Sequence, residues 1–320
     1  MDAPDIFARA GARLPIVQAP MAGASGTALA IAAIKGGGVR PLPYPLIGAE
    51  EIVRQAAEVR AAVDGPINLN FFCHTMPETA VDSAWRAVLT PFYAAERIAP
   101  DTAKPRLRLP FEAEAAAAVE AARPAIVSFH FGLPDAILLA RVRATGALIL
   151  GNATTVAEAR WLAGRGCDAI VAQGFEAGGH AGHFLDGHRP VGLVALVPQV
   201  IDATGLPVIA AGGIADARGV SAAIALGATG VQIGTAYLAS AESSASAPHR
   251  ALLGTPASAD SVFTNLFSGG LARGLRNRLI EALGPIDRRA PPFPMASAAL
   301  APLRAVAEAD GRADYSPLWA

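Results

Sequence analysis

Several features that define common protein classes are scarce in this chain of 320 residues. Only two cysteines are present, Cys73 and Cys167, which excludes a disulfide framework and a four-thiolate zinc site and is typical of a reducing compartment. Neither charge is in excess, since Lys+Arg 26 faces Asp+Glu 27, so nucleic acid and anionic membranes are not expected as partners. No run approaches about eighteen apolar residues, and the opening MDAPDIFARAGARLP contains acids. We therefore expect a soluble, cytoplasmic protein.

Short apolar runs bounded by Gly, Pro or Asn recur along a sequence that is 52% hydrophobic. Most of them alternate with helix-like segments at a spacing of roughly 22 residues, which predicts a parallel sheet. The eight runs start near Pro15, Gly38, Pro66, Ala125, Ala147, Asp168, Pro207 and Gly230. Eight such units predict a (β/α)8 TIM barrel, whereas a doubly wound sheet usually has fewer strands and a glycine fingerprint that is missing here.

Helix boundaries are marked in the same stretch of sequence. Thr155 with Glu158 three residues later is typical of a capping box, and Gly164 and Gly166 are expected to end that helix. The predicted helices are 49–63, 135–145, 155–166, 192–204 and 216–227.

The regular spacing is interrupted twice and ends before the last quarter of the chain. We predict a barrel domain over residues 1–240, with an insertion at about 73–124 between strands three and four, and a long loop over 175–206. Residues 241–320 are predicted to form a C-terminal extension over the barrel mouth, helical around 271–283 and Pro-rich at 291–294.

Glycines follow predicted strands seven and eight, where barrels of this kind often hold phosphate. Strand seven ends in Ala211 before Gly212 and Gly213, and strand eight is followed by Gly234 and Thr235. Backbone amides there, helped by the dipoles of the following helices, can hold an anion without Lys or Arg. The alternative is a pair of ordinary strand-to-helix turns.

A glycine-flanked histidine follows strand six, within the run Gln173–His183. His180 at a strand's carboxyl end suits proton abstraction near neutral pH, although a solvated histidine is the plainer interpretation of such a loop. His130 at the end of strand four and His183 are weaker candidates for substrate contact, and a buried structural role is an alternative for His130. A metal cluster of Glu176, His180, His183 and His188 is disfavoured because no helical spacing places these ligands on one face, so no metal is expected.

Polar and soft apolar groups end strands one and three. Strand one runs into Ala19, Pro20 and Met21, and Asn70 lies in strand three. A thioether and amides beside a rigid proline suit the face and the hydrogen-bonding edge of a flavin. Each residue alone has an ordinary structural explanation.

Five segments together resemble the nitronate monooxygenases, formerly 2-nitropropane dioxygenases, and a sixth, FSGGLARGLRNR (267–278), resembles the tail of that family. They are PIVQAPMAG (15–23), INLNFF (67–72), AIVAQGFEAGGHAG (169–182), PVIAAGGIAD (207–216) and GVQIGTAYL (230–238). The resemblance implies an FMN-dependent barrel that oxidises nitronates, and neutral nitroalkanes, with dioxygen to carbonyl compounds and nitrite through a flavosemiquinone.

The same resemblance implies roles for individual residues. His180 would be the general base, and Met21, Asn70 and Gln173 would contact the isoalloxazine. The remaining residues implied in cofactor binding are Ala19, Pro20, Gly178, Gly179, Ala211, Gly212, Gly213, Gly234 and Thr235. Two positions depart from the pattern: Arg40, which is predicted to reshape the substrate entrance, and Asn152, where some relatives carry His and Lys near the phosphate.

Other functions are compatible with these residues. The nearest is an FMN-dependent enoyl-thioester reductase using NAD(P)H, which shares the barrel, the glycine turns and the histidine loop. A metal-dependent hydrolase and a flavin-binding barrel without turnover are alternatives from other classes. The sequence leaves the physiological substrate and the oligomeric state open.

Overall fold

Eleven strands and thirteen α-helices make up the part of the chain described by the computed structural model, namely residues 5–78, 82–99, 107–185 and 187–320. The strands are β1 (Ile16–Gln18), β2 (Arg40–Pro43), β3 (Ile67–Phe72), β4 (Ile126–His130), β5 (Leu148–Ala153), β6 (Ala169–Gln173), β7 (Gly179–His180), β8 (Val208–Ala211), β9 (Gly230–Ile233), β10 (Ser261–Thr264) and β11 (Ala272–Leu275).

The helices alternate with most of these strands. They are α1 (Ile6–Ala10), α2 (Thr27–Lys35), α3 (Ala49–Ala62), α4 (Ser83–Ala95), α5 (Ala113–Ala122), α6 (Ala136–Ala144), α7 (Val156–Ala163), α8 (Leu193–Thr204), α9 (Ala217–Ala225), α10 (Thr235–Leu238), α11 (Ala247–Leu252), α12 (Arg278–Leu283) and α13 (Ala296–Ala309). No helix in these ranges is both long and apolar enough to cross a membrane.

Eight parallel strands close into a barrel, which confirms the predicted (β/α)8 fold. The ladder runs β1-β9-β8-β6-β5-β4-β3-β2. The first and last of these strands meet through hydrogen bonds from Val39 N–H to the Ile16 carbonyl at 2.8 Å and from Gln18 N–H to the Val39 carbonyl at 2.9 Å. The apolar runs predict the position of each of these eight strands, because each run is bounded by residues that break regular structure.

Alternation along each strand separates two apolar layers. One buried cluster contains Val17, Val39, Leu150, Val171 and Ile209 and fills the barrel, while their sequence neighbours pack toward the helices. The short helix α1 also belongs to the inner cluster, through buried Ile6 and Phe7. A Cβ at Gly230 would overlap the Phe7 ring, so glycine is required where α1 enters.

Local sequence signals set the helix boundaries as expected. Thr155 accepts a hydrogen bond from Glu158 N–H while the Glu158 carboxylate accepts from Thr155 N–H, which confirms the capping box. Asp135 and Asp216 cap α6 and α9 through their side chains, which accept hydrogen bonds from backbone N–H groups in the first turn of each helix. The helix expected around 271–283 is wrong in its first half: residues 272–275 are strand β11, paired on both sides, and α12 begins only after the Asn277 cap.

The described residues form two compact units. The first comprises the segments up to His74, Leu109–Ala177 and Gly182–Ser244, and includes the barrel. The second comprises Thr75–Arg108, Gly178–Ala181 and Ala245–Ala320. It contains an antiparallel sheet in the order β10-β11-β7 and a core in which the Trp85 indole N–H donates to the Ala296 carbonyl at 3.2 Å and the Tyr93 hydroxyl donates to the Ala299 carbonyl.

A carboxylate in the second unit collects several charged and polar partners. Glu96 accepts hydrogen bonds from Arg312 and from the Tyr315 hydroxyl, each at 2.7 Å, and pairs also with Arg278. The Arg312 and Tyr315 bonds lower the pKa of Glu96 to about 2. Because this pKa lies below that of an unfolded glutamate, the stabilisation is complete above about pH 4.5 and is lost as the pH falls toward 2.

Glu96→Gln is therefore expected to lower the free energy of unfolding by about 1–3 kcal/mol at neutral pH, since Arg312 and Arg278 lose their anionic partner. The variant should also lose less stability than the parent between about pH 5.5 and pH 3.5. Urea unfolding at both pH values measures this. Glu58→Gln, an exposed acid of α3 paired with Arg54, is the control and should change stability by less than about 1 kcal/mol; equal effects of the two changes would contradict the prediction.

Candidate functional site

Four neighbouring strands bring most of the predicted binding residues to one edge of the barrel. Gly174 N–H donates to the Ala211 carbonyl at 2.9 Å, and Ala19 N–H donates to the Ile233 carbonyl at 2.7 Å, so the ends of β6, β8, β9 and β1 are contiguous. The residues of this arc are Ala19, Pro20, Met21, Gln173, Ala211, Gly212, Gly213, Gly234 and Thr235. The carboxyl edge is where barrels of this type hold their ligands.

Backbone amides are available at two turns of this arc. Gly212 and Gly213 have φ of 128° and 65°, and a Cβ on Gly212 would lie 2.9 Å from the Ala177 nitrogen, so the turn after β8 needs glycine at both positions. Within the described ranges, the N–H groups of Gly212, Gly213, Gly234 and Thr235 donate to no other residue. Several unpaired amides at one edge are an anion-binding arrangement.

The start of α9 does not add to this arrangement as the sequence had suggested. The Asp216 carboxylate accepts from the N–H groups of Arg218 and Gly219 and pairs with the Arg218 guanidinium. The first amides of α9 are therefore already satisfied. The backbone N–H groups of the two glycine turns remain available to donate hydrogen bonds to an anion.

Asparagines line the inner face of β3. The Asn70 side-chain NH2 donates to Ser128 Oγ at 3.0 Å, while Asn70 Oδ1 is buried without a partner among the described residues. Asn68, fully buried, has no partner for either side-chain atom in those same ranges. Buried amide atoms without partners are costly unless a ligand or water satisfies them, so Asn70 Oδ1 can accept from a bound group.

A second polar cluster joins the ends of β4, β5 and β6. Gln173 Oε1 accepts two hydrogen bonds, from Asn152 Nδ2 at 3.0 Å and from Gly182 N–H at 2.8 Å. His130 lies against the same glycine, and its ring also stacks on Phe72 with centroids 5.3 Å apart. The structure thus brings two predicted residues, His130 and Gln173, together with Asn152.

Gly182→Ala should disrupt this cluster, because a Cβ there would overlap Asn152 Nδ2 and lie 2.6 Å from His130 Cε1. Overpacking of this kind costs about 1–3 kcal/mol of stability. Urea unfolding measures the change, and Gly187→Ala, with nothing within 4 Å of its Cβ, is the matched control. A stability equal to that of the control would contradict the packing described.

His180 lies in the second unit, on β7, where it pairs with Ala272 of β11. Its Nε2 is 2.8 Å from Ser268 Oγ, and its ring lies between those of Phe293 and Trp319, at centroid distances of 5.1 Å and 5.3 Å. Sequence reasoning assigned no role to Ser268, although it lies in the quoted FSGG segment. These contacts restrict the imidazole to a narrow range of orientations.

The two glycines before His180 differ in their surroundings. A Cβ on Gly178 would overlap the Ala320 backbone, whereas Gly179, with φ of 79°, has nothing within 4 Å of its Cβ position. Both belong to the second unit. Gly178 is therefore required for close packing and Gly179 for its left-handed conformation.

The weaker candidates have other partners. His183 and His188 lie side by side with ring centroids 5.3 Å apart, and burial together with the His183 charge lowers the pKa of His188. Both oxygens of Glu176 accept from Leu193 N–H at 3.0 Å at the start of α8. No group of three or more His, Cys, Asp or Glu side chains able to hold a metal occurs in the part of the chain that is described.

Arg40 does not shape an entrance, and that expectation is wrong. Its side chain is fully buried on the outer face of β2, and Nη2 donates to the Gly26 carbonyl at 2.5 Å. The reason is alternation: Val39 fills the barrel, so Arg40 faces the helical layer. Burial lowers the pKa of Arg40 to about 9.

Comparison with known proteins points to one family. A family model described as nitronate monooxygenase matches residues 6–320. A nitronate monooxygenase of Pseudomonas aeruginosa is 39% identical over 317 residues, 97% of this chain and 90% of that protein. One from Paraburkholderia phytofirmans is 40% identical over 316 residues, 96% of this chain and 86% of that protein.

A solved structure is similar over nearly the whole fold. It is the nitroalkane oxidase from Streptomyces ansochromogenes, which superposes with a TM-score of 0.89 at 35% identity and covers 99% of this chain and 91% of that chain. The superposition therefore includes both the barrel and residues 245–320, which follow it in the chain.

Proposed function

The chain belongs to the nitronate monooxygenase family and is an oxidoreductase, and from this premise we propose that it uses FMN to oxidise alkyl nitronates with dioxygen. The products are a carbonyl compound and nitrite, and neutral nitroalkanes are substrates after loss of the proton next to the nitro group. The observation that carries the proposal is the contiguous arc of unpaired amides at the ends of β8 and β9. The reaction is placed in the cytoplasm, where two unpaired thiols stay reduced.

The residues of the barrel edge fit FMN. The amides of Gly212, Gly213, Gly234 and Thr235 would hold the phosphate, which needs no cation when several backbone donors converge. Ala211 and the turn at Ala19–Met21 would lie beside the ribityl chain and ring. Asn70 supplies a buried acceptor, Oδ1, for a ring N–H. Gly178 and Gly179, assigned by resemblance, stay predictions.

When bound, FMN would supply one-electron chemistry and reaction with dioxygen. The protein's part is to bind and orient the substrate and to move one proton. A nitronate arrives deprotonated and needs only to be positioned, whereas a neutral nitroalkane needs a base. We assign that base to His180, whose ring is oriented by Ser268, Phe293 and Trp319. His130 and His183 stay candidate substrate contacts.

An absorption spectrum combined with a nitrite assay tests cofactor and reaction together. The purified protein is expected to be yellow, to release FMN on denaturation, and to form nitrite from ethylnitronate under air. Colourless protein that cannot be reconstituted with FMN would contradict the proposal. Rapid bleaching of the flavin by NADPH without oxygen would instead indicate an enoyl-thioester reductase, and bound zinc a hydrolase.

A further inference from the structure

The guanidinium of Arg40 is buried without a counter-ion. Arg40 is 0% exposed; its Nη2 donates to the Gly26 carbonyl at 2.5 Å, while Nε and Nη1 have no hydrogen-bond partner among the described residues. No carboxylate in those ranges pairs with it, and its pKa, lowered to about 9 by burial, still leaves the side chain charged at neutral pH. A full positive charge is therefore held in a region that solvent does not screen.

The start of α2 adds charge of the same sign at this place. Gly26 is the N-cap of α2, no side chain caps this helix, and its first turn contains no acid. The N-terminal end of a helix carries a partial positive charge, which makes a nearby cation unfavourable. Glu58 accepts from the Thr27 hydroxyl, but it is exposed and already paired with Arg54. The surroundings of Arg40 thus add to the cost of burying its charge instead of offsetting it.

Packing alone does not require an arginine at this position. The Gly26 carbonyl also accepts from Ala30 N–H at 3.3 Å, so it keeps a partner without Arg40. Leu42, the next residue on the same face of β2, is apolar and fully buried. Replacing buried charges by apolar groups of similar volume is often stabilising. A buried, incompletely bonded group that lowers stability in this way is typical of a functional role.

The charge lies beside a segment that is proposed to contact the flavin. Gly26 follows directly after a turn that begins at Met21 and is closed by hydrogen bonds from Ala24 N–H and Ser25 N–H to the Met21 carbonyl, at 3.0 Å and 2.9 Å. The guanidinium therefore binds the far end of this one short turn. A unit charge acting over roughly 10 Å at an effective dielectric constant of about 20 changes an equilibrium that involves another unit charge by about tenfold.

We propose that Arg40 acts through its charge on the flavin site at this edge of the barrel, where it favours the addition of negative charge. The inference rests on the proposed function, because it takes Met21 as a flavin contact. Arg40 itself touches neither cofactor nor substrate in this account; its charge raises the midpoint potential of bound FMN. The lower stability of the protein and the higher potential of the flavin are two effects of the same unpaired charge.

Three variants separate the charge of Arg40 from its packing. Arg40→Met removes the charge and keeps much of the side-chain length, whereas Arg40→Lys keeps the charge. Arg54→Met, which removes an exposed and paired charge from α3, is the control for a change in net charge. The measurements are the midpoint potential for addition of the first electron to the FMN-loaded protein and the Tm of the same protein in saturating FMN.

We expect Arg40→Met to lower the equilibrium constant for adding that electron about tenfold, a fall of about 59 mV, and to raise the Tm by about 2–4 °C. Arg40→Lys should shift the potential by less than half as much, and Arg54→Met should leave both quantities near the parent values. A purely structural role predicts the opposite sign for the Tm of Arg40→Met, because a contact is lost and no cost is relieved.

An unchanged potential in folded, FMN-loaded Arg40→Met protein would overturn the inference. Equal shifts in potential for Met and Lys, or a Tm lowered by Met, would overturn it as well, since either result assigns the effect to packing. Parent protein that binds no FMN would overturn the proposed function, and the inference with it.

Discussion

His180→Asn is expected to lower turnover of neutral nitroalkanes by about 10²–10⁴-fold while oxidation of preformed nitronates changes little. The reason is that only the neutral substrate must lose a proton at the enzyme. Asn keeps some size and polarity beside Ser268, Phe293 and Trp319 but cannot accept a proton at neutral pH. Steady-state rates with nitroethane and with ethylnitronate, measured on protein of known FMN content, give the turnover of the neutral and of the deprotonated substrate.

Two further variants sharpen this result. Ser268→Ala removes the contact at 2.8 Å and should cost less than the loss of the imidazole, with the larger effect again on the neutral substrate. His188→Asn, a change in the other unit, should leave both rates near the parent values. If His180→Asn oxidises both forms at the parent rate, the base lies elsewhere; if it loses both equally, His180 serves binding or electron transfer instead.

Gly213→Val should remove most of the bound FMN, because it changes the turn that is proposed to hold the phosphate. Gly213 has φ of 65°, a conformation that β-branched residues rarely adopt, and its Cβ would lie 3.3 Å from Glu176 Cβ. A displaced turn misdirects the Gly212 and Gly213 amides. We expect FMN content below about a tenth of the parent value, a loss of roughly 1.4 kcal/mol or more in binding.

The chain contains a matched control for backbone strain. Gly205, after α8, has φ of 64°, and nothing lies within 4 Å of its Cβ position. Gly205→Val should therefore cost similar conformational strain without touching the barrel edge. FMN absorbance per folded protein, checked by circular dichroism, compares the two. Normal flavin content in a folded Gly213 variant would place the phosphate elsewhere.

The barrel could be predicted because its signals are local. Apolar runs of strand length stand between glycines and prolines, and side chains such as Thr155, Glu158 and Asp135 mark helix starts within a few residues. The fold also fixes which strand ends meet, so placing Gln173, Ala211 and Gly234 on one edge required only the strand count.

The second sheet, β10-β11-β7, could not be predicted from local sequence signals. β7 is two residues long, in a glycine-rich loop without alternation, and its partner β11 follows almost a hundred residues later. Ser268 is beside His180 only because of that long-range pairing. Similarly, the family resemblance marks Asn152 as a departure, but its bond to Gln173 depends on strand register and on a loop that returns Gly182 to the barrel.

The position of Arg40 shows a different limit of prediction from sequence, namely that residue type alone does not predict burial. Its charge suggested an exposed role, yet strict alternation behind Val39 turned it inward toward α2. Burial of a guanidinium with one carbonyl partner is not signalled by composition.

The short helix α1 has a practical consequence for anyone preparing this protein. Phe7 and Ile6 seal the amino-terminal base of the barrel, and loss of one such aromatic group from a packed interior costs about 3–5 kcal/mol. Affinity tags and fusion partners attached at this end therefore need a spacer long enough to let Asp5–Ala10 dock. Removing α1 to aid crystallisation would take Ile6 and Phe7 out of the inner cluster, and the apolar surface exposed in this way would promote aggregation.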